Sequence, residues 1–254
     1  MRFQRIAGLA TVLLAATLLT TTPASAAPAP DAPAAAPAAA QTEVGATCTR
    51  PESDAEALVI LNYIYPNRYV WDHTDLTVAI QAAPTVTQPQ LDAIHRAIAT
   101  WDSVLRDCLG GVVTLTDVTG AQRRTADIVV HYVPSAGGVV FGGFAVCGAG
   151  GCPNILVRSD LPPSLGLDPY SPEYLYYVTL HELGHALGLG HATNLLESTD
   201  LMGYGWNRTN GIAPVLSQCD VDALSYLFSW ALDGTAPPAP GPSTFDQTFD
   251  CSAA

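Results

Sequence analysis

The 254-residue sequence predicts an α+β fold: a twisted mixed sheet backed by helices, followed by a histidine-bearing helix. Three observations predict it. Short runs rich in Val, Ile and Thr alternate with helical patterns ahead of residue 181. Leu91, Ile94, Ile98, Trp101 and Leu105 recur at helical spacing. The stretch from His181 begins as a helix and meets a glycine at Gly188, where a helix can end in a left-handed residue.

Taken in order, residues 27–45 are rich in Ala and Pro, bury no core, and read as a flexible spacer or short pro-segment. Leu58 to Val70 mixes apolar and aromatic residues around a turn at Pro66-Asn67. Leu76 to Ile80 is a strand. Thr87 lies at the cap and Pro89 in the first turn of a helix over 89–107, which Gly110-Gly111 ends. Val112 to Leu115 is a second strand, and Asp127 to Val133 a third, apolar enough to be central. A glycine-rich region, 137–151, carries a short strand around Val139 to Val146, and Asn154 to Arg158 is the next strand. Residues 161–172 hold four prolines and form a loop. Pro172-Glu173 starts the helix that runs through Tyr174, Leu175, Val178 and Leu180 into the histidine stretch. Asp220 to Phe228 is the last helix, and 232–254 is a Pro-rich tail.

Composition narrows the classes. With 48% hydrophobic and 13% charged residues the chain can bury one sizeable core. It has no lysine, and its ten basic residues are all arginine, which with abundant Ala and Pro fits a high-G+C bacterial coding sequence. Arg2 and Arg5, the apolar run Ile6 to Leu19 and Ala24-Ser25-Ala26 form a signal-peptide pattern over residues 1–26, so the chain reads as secreted to the extracellular space. The run is short for a membrane span. Removing residues 1–26, which carry two arginines and no acid, takes the formal net charge from −13 to −15. Such a surface excludes electrostatic binding to nucleic acid or to an anionic membrane. Six cysteines, Cys48, Cys108, Cys147, Cys152, Cys219 and Cys251, read as three disulfides in an exported chain. Cys147 and Cys152 enclose a four-residue loop and are expected to pair; the other four leave three pairings open.

The chemistry concentrates in His181-Glu182-Leu183-Gly184-His185-Ala186-Leu187-Gly188-Leu189-Gly190-His191. Residues four apart share one helix face, so His181 and His185 can bind one tetrahedral zinc. A helix cannot deliver a third ligand six residues on, but a turn at Gly188 brings His191 back. Three neutral imidazoles leave one position for water, and Glu182 can act on that water as general base. The competing reading is an amphipathic helix with surface histidines, which five specified residues at fixed offsets disfavour. His73, His95 and His131 read instead as surface or hydrogen-bonded histidines.

On these residues the chain resembles the metzincin zinc endopeptidases, and among them the matrixins. His181 to His191 is similar to matrixin active sites, Ala126-Asp127-Ile128 to their "ADI" strand, and Gly137 to Phe144 to their substrate-pairing edge strand. Leu201-Met202-Gly203 resembles the Met-turn beneath the metal, and Leu216 to Asp220 the start of the last helix. The resemblance implies a metzincin-like catalytic domain over 46–231, whose C-terminal subdomain holds the Met-turn and final helix. It implies a monomeric, secreted endopeptidase with one catalytic zinc, its polypeptide substrate extended along the edge strand. Many members hold calcium, and Asp and Asn residues around Asp160 and Asp168 could do so here, though their spacing fits no EF-hand loop. Tyr204 follows Met202 by two, as in astacins and serralysins, and has two readings: a hydroxyl aimed at the oxyanion, or a packed ring. The chain departs from matrixins at Gly142, where a second-zinc histidine would fall, and at Cys48, which lacks the PRCGxPD context. Two other functions compete: a non-catalytic zinc-containing binding module, and a processing peptidase of narrow specificity. Glu182 speaks against the first, since a binding module has no use for a base there.

Overall fold

The strand-forming runs assemble, among the described residues, into a five-stranded sheet of order β2-β1-β3-β5-β4. Its members are β1 (Asp75–Ala82), β2 (Thr114–Asp117), β3 (Ile128–Val133), β4 (Gly143–Gly148) and β5 (Gly151–Arg158). β1 pairs parallel with β2 and β3, and β3 with β5. β4 runs antiparallel to β5 and forms an edge. β3 is central, as its apolar run predicts. Leu76, Val78 and Ile80, Ile128, Val130 and Tyr132, and Ile155 and Val157 alternate along their strands and are buried. A slip of one residue would turn each set outward, so burial fixes the register. Asp127 adds a polar lock: its carboxylate accepts from the Thr77 backbone N–H at 2.8 Å and from Thr77 Oγ1 at 2.6 Å.

The computed structural model describes residues 71–120, 125–133, 142–148, 151–158, 171–192, 200–203 and 214–237. All lie within one compact unit, Ala39–Ala254. The signal and spacer segments, Leu58 to Val70, Asp160, Asp168, Tyr204, Cys48, Cys251 and the tail from residue 238 fall outside them, as does the Cys152 side chain. Cys108, Cys147 and Cys219 are each disulfide-bonded; the pairing, Cys147–Cys152 included, rests on side chains outside the described residues. No described helix is long and apolar enough to cross a membrane.

Helix α1 (Gln88–Cys108) packs on β1 and β2, helix α2 (Pro172–Leu187) on β4 and β5, and the two helices pack on each other. Thr87 caps α1, its N–H donating to Gln90 Oε1 at 2.9 Å, and Pro89 sits in the first turn. Ser171 caps α2, its hydroxyl accepting from the Tyr174 N–H at 3.1 Å. Between the helices, Arg96 donates to Glu173 at 2.9 Å and lies 4.0 Å above the Tyr176 ring. After α2 the chain returns through a bridge between Asp200 and Val215 to α3 (Gln218–Leu227) and α4 (Ser229–Leu232).

The starts of β2, β5 and α3 differ from expectation for reasons the hydrogen bonds show, and β4 runs on to Gly148, past the expected Val146. β2 starts at Thr114 rather than Val112, because the Val112 N–H still closes the turn after α1 on the Leu109 carbonyl, at 3.1 Å. β5 starts at Gly151, within the glycine-rich region, because Gly151 pairs with Gly148 across the hairpin. α3 starts at Gln218 rather than Asp220, because Ser217 and Asp220 form a reciprocal capping box.

α1 is also tied to β2 by a hydrogen bond between His95 Nδ1 and the Asp117 carboxylate. That bond raises the His95 pKa against the opposing effect of burial, with Asp92 adding a smaller push. A raised histidine contributes stability that is full below its unfolded value of about 6.5 and is lost as pH climbs through the folded value. We expect His95→Gln to melt below the parent protein at about pH 6 and level with it by about pH 9. A melting gap constant over that range would remove the ion pair as its cause.

Candidate metal centre

α2 brings His181, Glu182 and His185 into the core on its last two turns, and all three are buried. The helix then ends at Gly188, whose φ of +115° is left-handed. The Gly188 N–H donates to the His185 carbonyl at 3.0 Å and the Leu189 N–H to Gly184 at 2.9 Å. The chain reverses there and His191 reaches the other two rings. Ring centroids lie 4.6 Å apart for His181 and His185, 4.7 Å for His185 and His191, and 5.4 Å for His181 and His191. One ligand atom from each falls within 4.8 Å of the others, as the sequence spacing predicts.

Hydrogen bonds fix which nitrogens face inward. His181 Nδ1 donates to the Leu201 carbonyl at 2.7 Å and His185 Nδ1 to the Leu189 carbonyl at 2.8 Å. Each Nε2 is therefore left with a lone pair, and the two Nε2 atoms face each other at 3.1 Å. Two lone pairs so placed repel unless a cation lies between them. Tetrahedral zinc with bonds of about 2.0–2.1 Å sets its ligand nitrogens about 3.3 Å apart, close to what is seen. Burial, and then repulsion among the three rings, lowers each histidine to about 3, so the trio stays neutral, the form a metal requires. The donor set fits zinc.

Glu182 lies beside this cluster. Burial pushes its carboxyl up to about 8, opposed by a hydrogen bond from the Ala145 backbone. Its Oε2 is buried with no hydrogen-bond partner. A divalent cation in the cluster would favour the ionised form.

Below α2, the fully buried Met202 fills a space that Gly184 leaves open: a Cβ there would stand 2.5 Å from Met202 Sδ and 3.2 Å from Trp101 Cζ2. The Ala192 N–H donates to the Met202 carbonyl at 2.8 Å and the Leu201 N–H to Val215 at 2.8 Å, so this floor is stitched to both His191's neighbour and the segment before α3. Sequence reasoning missed two supports. Trp101 Nε1 donates to the Leu180 carbonyl at 2.7 Å and Trp71 Nε1 to the Ala186 carbonyl at 2.9 Å. Each clamps a turn of α2, and apolar periodicity signals only that Trp101 is buried. The other histidines face acidic or amide partners: His73 pairs with Asp72 at 2.7 Å and His131 with Asn154 at 2.9 Å.

No family model matches the chain. The chain is similar to interstitial collagenase of Sus scrofa, 29% identical over 201 residues, and to that of Bos taurus, 28% identical over 200 residues. Each likeness covers 73% of this chain and 39% of the relative, so the chain spans about two fifths of the length of the curated relatives it matches. In sequence and in its histidine cluster the chain is metzincin-like. Among solved structures it is similar to an archaemetzincin from Methanopyrus kandleri, with TM-score 0.42, 16% identity and coverage of 61% of this chain and 97% of that one. It is also similar to high choriolytic enzyme 1, a hatching-enzyme zinc protease from Oryzias latipes, with TM-score 0.37, 14% identity and coverage of 65% and 96%. Likeness this distant adds nothing to the case made by the site itself.

Gly188 is required twice over, by its positive φ and by the 2.5 Å that would separate its Cβ from Leu227 Cδ2. Gly188→Ala is therefore expected to cost about 2–4 kcal/mol in denaturant unfolding, strain and overpacking together. A loss under about 0.5 kcal/mol, the range of neutral surface changes, would show that the turn is not constrained.

Proposed function

We propose that this chain is a secreted zinc endopeptidase. The observation that carries the reading is the buried, neutral trio His181, His185 and His191, two of its tautomers fixed by backbone carbonyls, beside the carboxyl of Glu182. Bound there, zinc supplies a Lewis acid that acidifies water and polarises a carbonyl. Glu182 Oε2 takes the proton of the attacking water and hands it to the amine nitrogen as the peptide bond breaks. The edge of β4, unpaired among the described residues, carries backbone groups not committed to β5, on which an extended polypeptide adds as a further strand. Export follows from the signal pattern at residues 1–26, and with it three disulfides, Cys147–Cys152 among them, in a monomeric catalytic domain over 46–231.

Metal analysis should find about one zinc per chain, lost in His185→Ala. Denatured casein should be cut, and a chelator should stop the cutting. Glu182→Gln should retain zinc while losing about 10²–10⁴-fold in rate. A zinc-loaded chain that leaves casein, gelatin and a proteome-derived peptide library all intact would point to a non-catalytic binding module. Cutting confined to the library would mark a narrow processing peptidase.

The same reading gives the Tyr204 hydroxyl a role as donor to the developing oxyanion, since Tyr204 follows by two in sequence the Met202 that packs on Gly184 of the histidine helix. Tyr204→Phe is then expected to lower kcat with KM nearly unchanged, because the lost bond forms only in the transition state. An unchanged kcat in the folded, zinc-loaded variant would leave Tyr204 a packing residue.

A further inference from the structure

We propose that Gly143 and the backbone N–H of Ala145, both on edge strand β4, form a seat that positions the Glu182 carboxylate. The inference rests on the peptidase reading of Glu182 and extends it to residues of the sheet.

α2 presents Tyr174, Val178 and Glu182 at successive four-residue steps, one row on one face. Opposite that row lie two glycines. A Cβ at Gly142 would stand 2.3 Å from the Tyr174 hydroxyl and 3.5 Å from Val178 Cγ2. A Cβ at Gly143 would stand 2.8 Å from both Cγ and Oε1 of Glu182. Neither glycine is among those with positive φ, so space and not backbone conformation demands them. The strand thus approaches the helix more closely than any side chain allows, and Glu182 is the group it approaches.

The hydrogen-bond pattern shows what the approach achieves. The Arg158 N–H donates to the Gly142 carbonyl at 2.9 Å, and Phe144 stands opposite Leu156. In an antiparallel pair these bonds alternate, so the backbone groups of 142, 144 and 146 face β5 and those of 143 and 145 face the open edge. The Ala145 N–H on that edge donates to the Glu182 carboxylate. Oε2 has no hydrogen-bond partner, so Oε1 takes this bond and Oε2 is left for proton transfer. The two oxygens are distinguished by the strand. A side chain at 143 would push Oε1 off its donor, and misplacing a catalytic group by about 1 Å costs about 10²-fold.

Amide exchange in the full zinc-loaded chain tests the contact directly. In Glu182→Ala the Ala145 amide should exchange about tenfold faster or more, while the Phe144 amide, paired to β5, keeps its rate. In Gly143→Ala, kcat should fall about 10–100-fold with KM changed by less than about twofold, zinc content and Tm holding. An Ala145 amide indifferent to Glu182→Ala, or an unchanged kcat in Gly143→Ala, would overturn the seat. Should Gly143→Ala fail to fold or to load zinc, the exchange comparison decides alone. Should the parent chain cut no peptide, the peptidase reading falls while the exchange comparison still judges the contact.

Discussion

Three imidazoles must be buried side by side without becoming charged, and the lower half of the structure follows from that constraint. A histidine in water binds its proton near pH 6.5; here burial and mutual repulsion press each toward 3. Neutral rings at such close quarters still need their lone pairs aimed, and a helix cannot aim them alone. The aiming comes from carbonyls outside α2: Leu189, just past the Gly188 turn, and Leu201, from the returning chain. Whatever holds those two carbonyls in place therefore holds the donor set. The left-handed turn holds the first, and the bridge of Asp200 to Val215 holds the second.

Close approach is the second recurring device, and it explains where α2 accepts poor helix formers. Glycine inside a helix costs about 1 kcal/mol relative to alanine. Gly184 incurs that cost in the last turn of α2, where the Met202 thioether and the edge of Trp101 occupy the space a side chain would take. Trp101 serves twice, packing on Gly184 and donating to the Leu180 carbonyl from a fully buried position. Because buried polar groups are costly unless bonded, that indole fixes the distance and rotation of α1 against α2 together.

Much of this was legible in the sequence because it is local. The apolar spacing of Leu91 through Leu105 gave α1 to within a residue at each end. The offsets of His181, His185 and His191, with a glycine between the last two, gave the cluster and the turn. What stayed hidden is long-range. Asp127 stood out as part of a family strand, but its partner Thr77, fifty residues earlier, has no sequence mark. Trp101 read as one apolar position of α1 and Trp71 carried no signal at all, although each donates its N–H to a carbonyl of α2. Gly143 looked like one more residue of a glycine-rich region, since a glycine needed for space and one needed for a bend are the same letter. Boundaries moved where a bond competed with propensity, as when Val112 closed a turn instead of opening β2.

The Leu227 side chain lies against Gly188, so α3 seals the end of the ligand helix. Chains are made from the N-terminus, and this fixes an order of events. His181 and His185 share a face as soon as α2 forms, but the orienting carbonyl at Leu201 and the plug at Leu227 arrive tens of residues later. Contacts of such sequence separation form late, because loop-closure entropy must be offset first. A nascent chain therefore carries histidines for a long interval before it carries a site. On that order the three imidazoles are oriented together only once α3 has docked, so a chain stopped short of α3 keeps the motif but not the geometry.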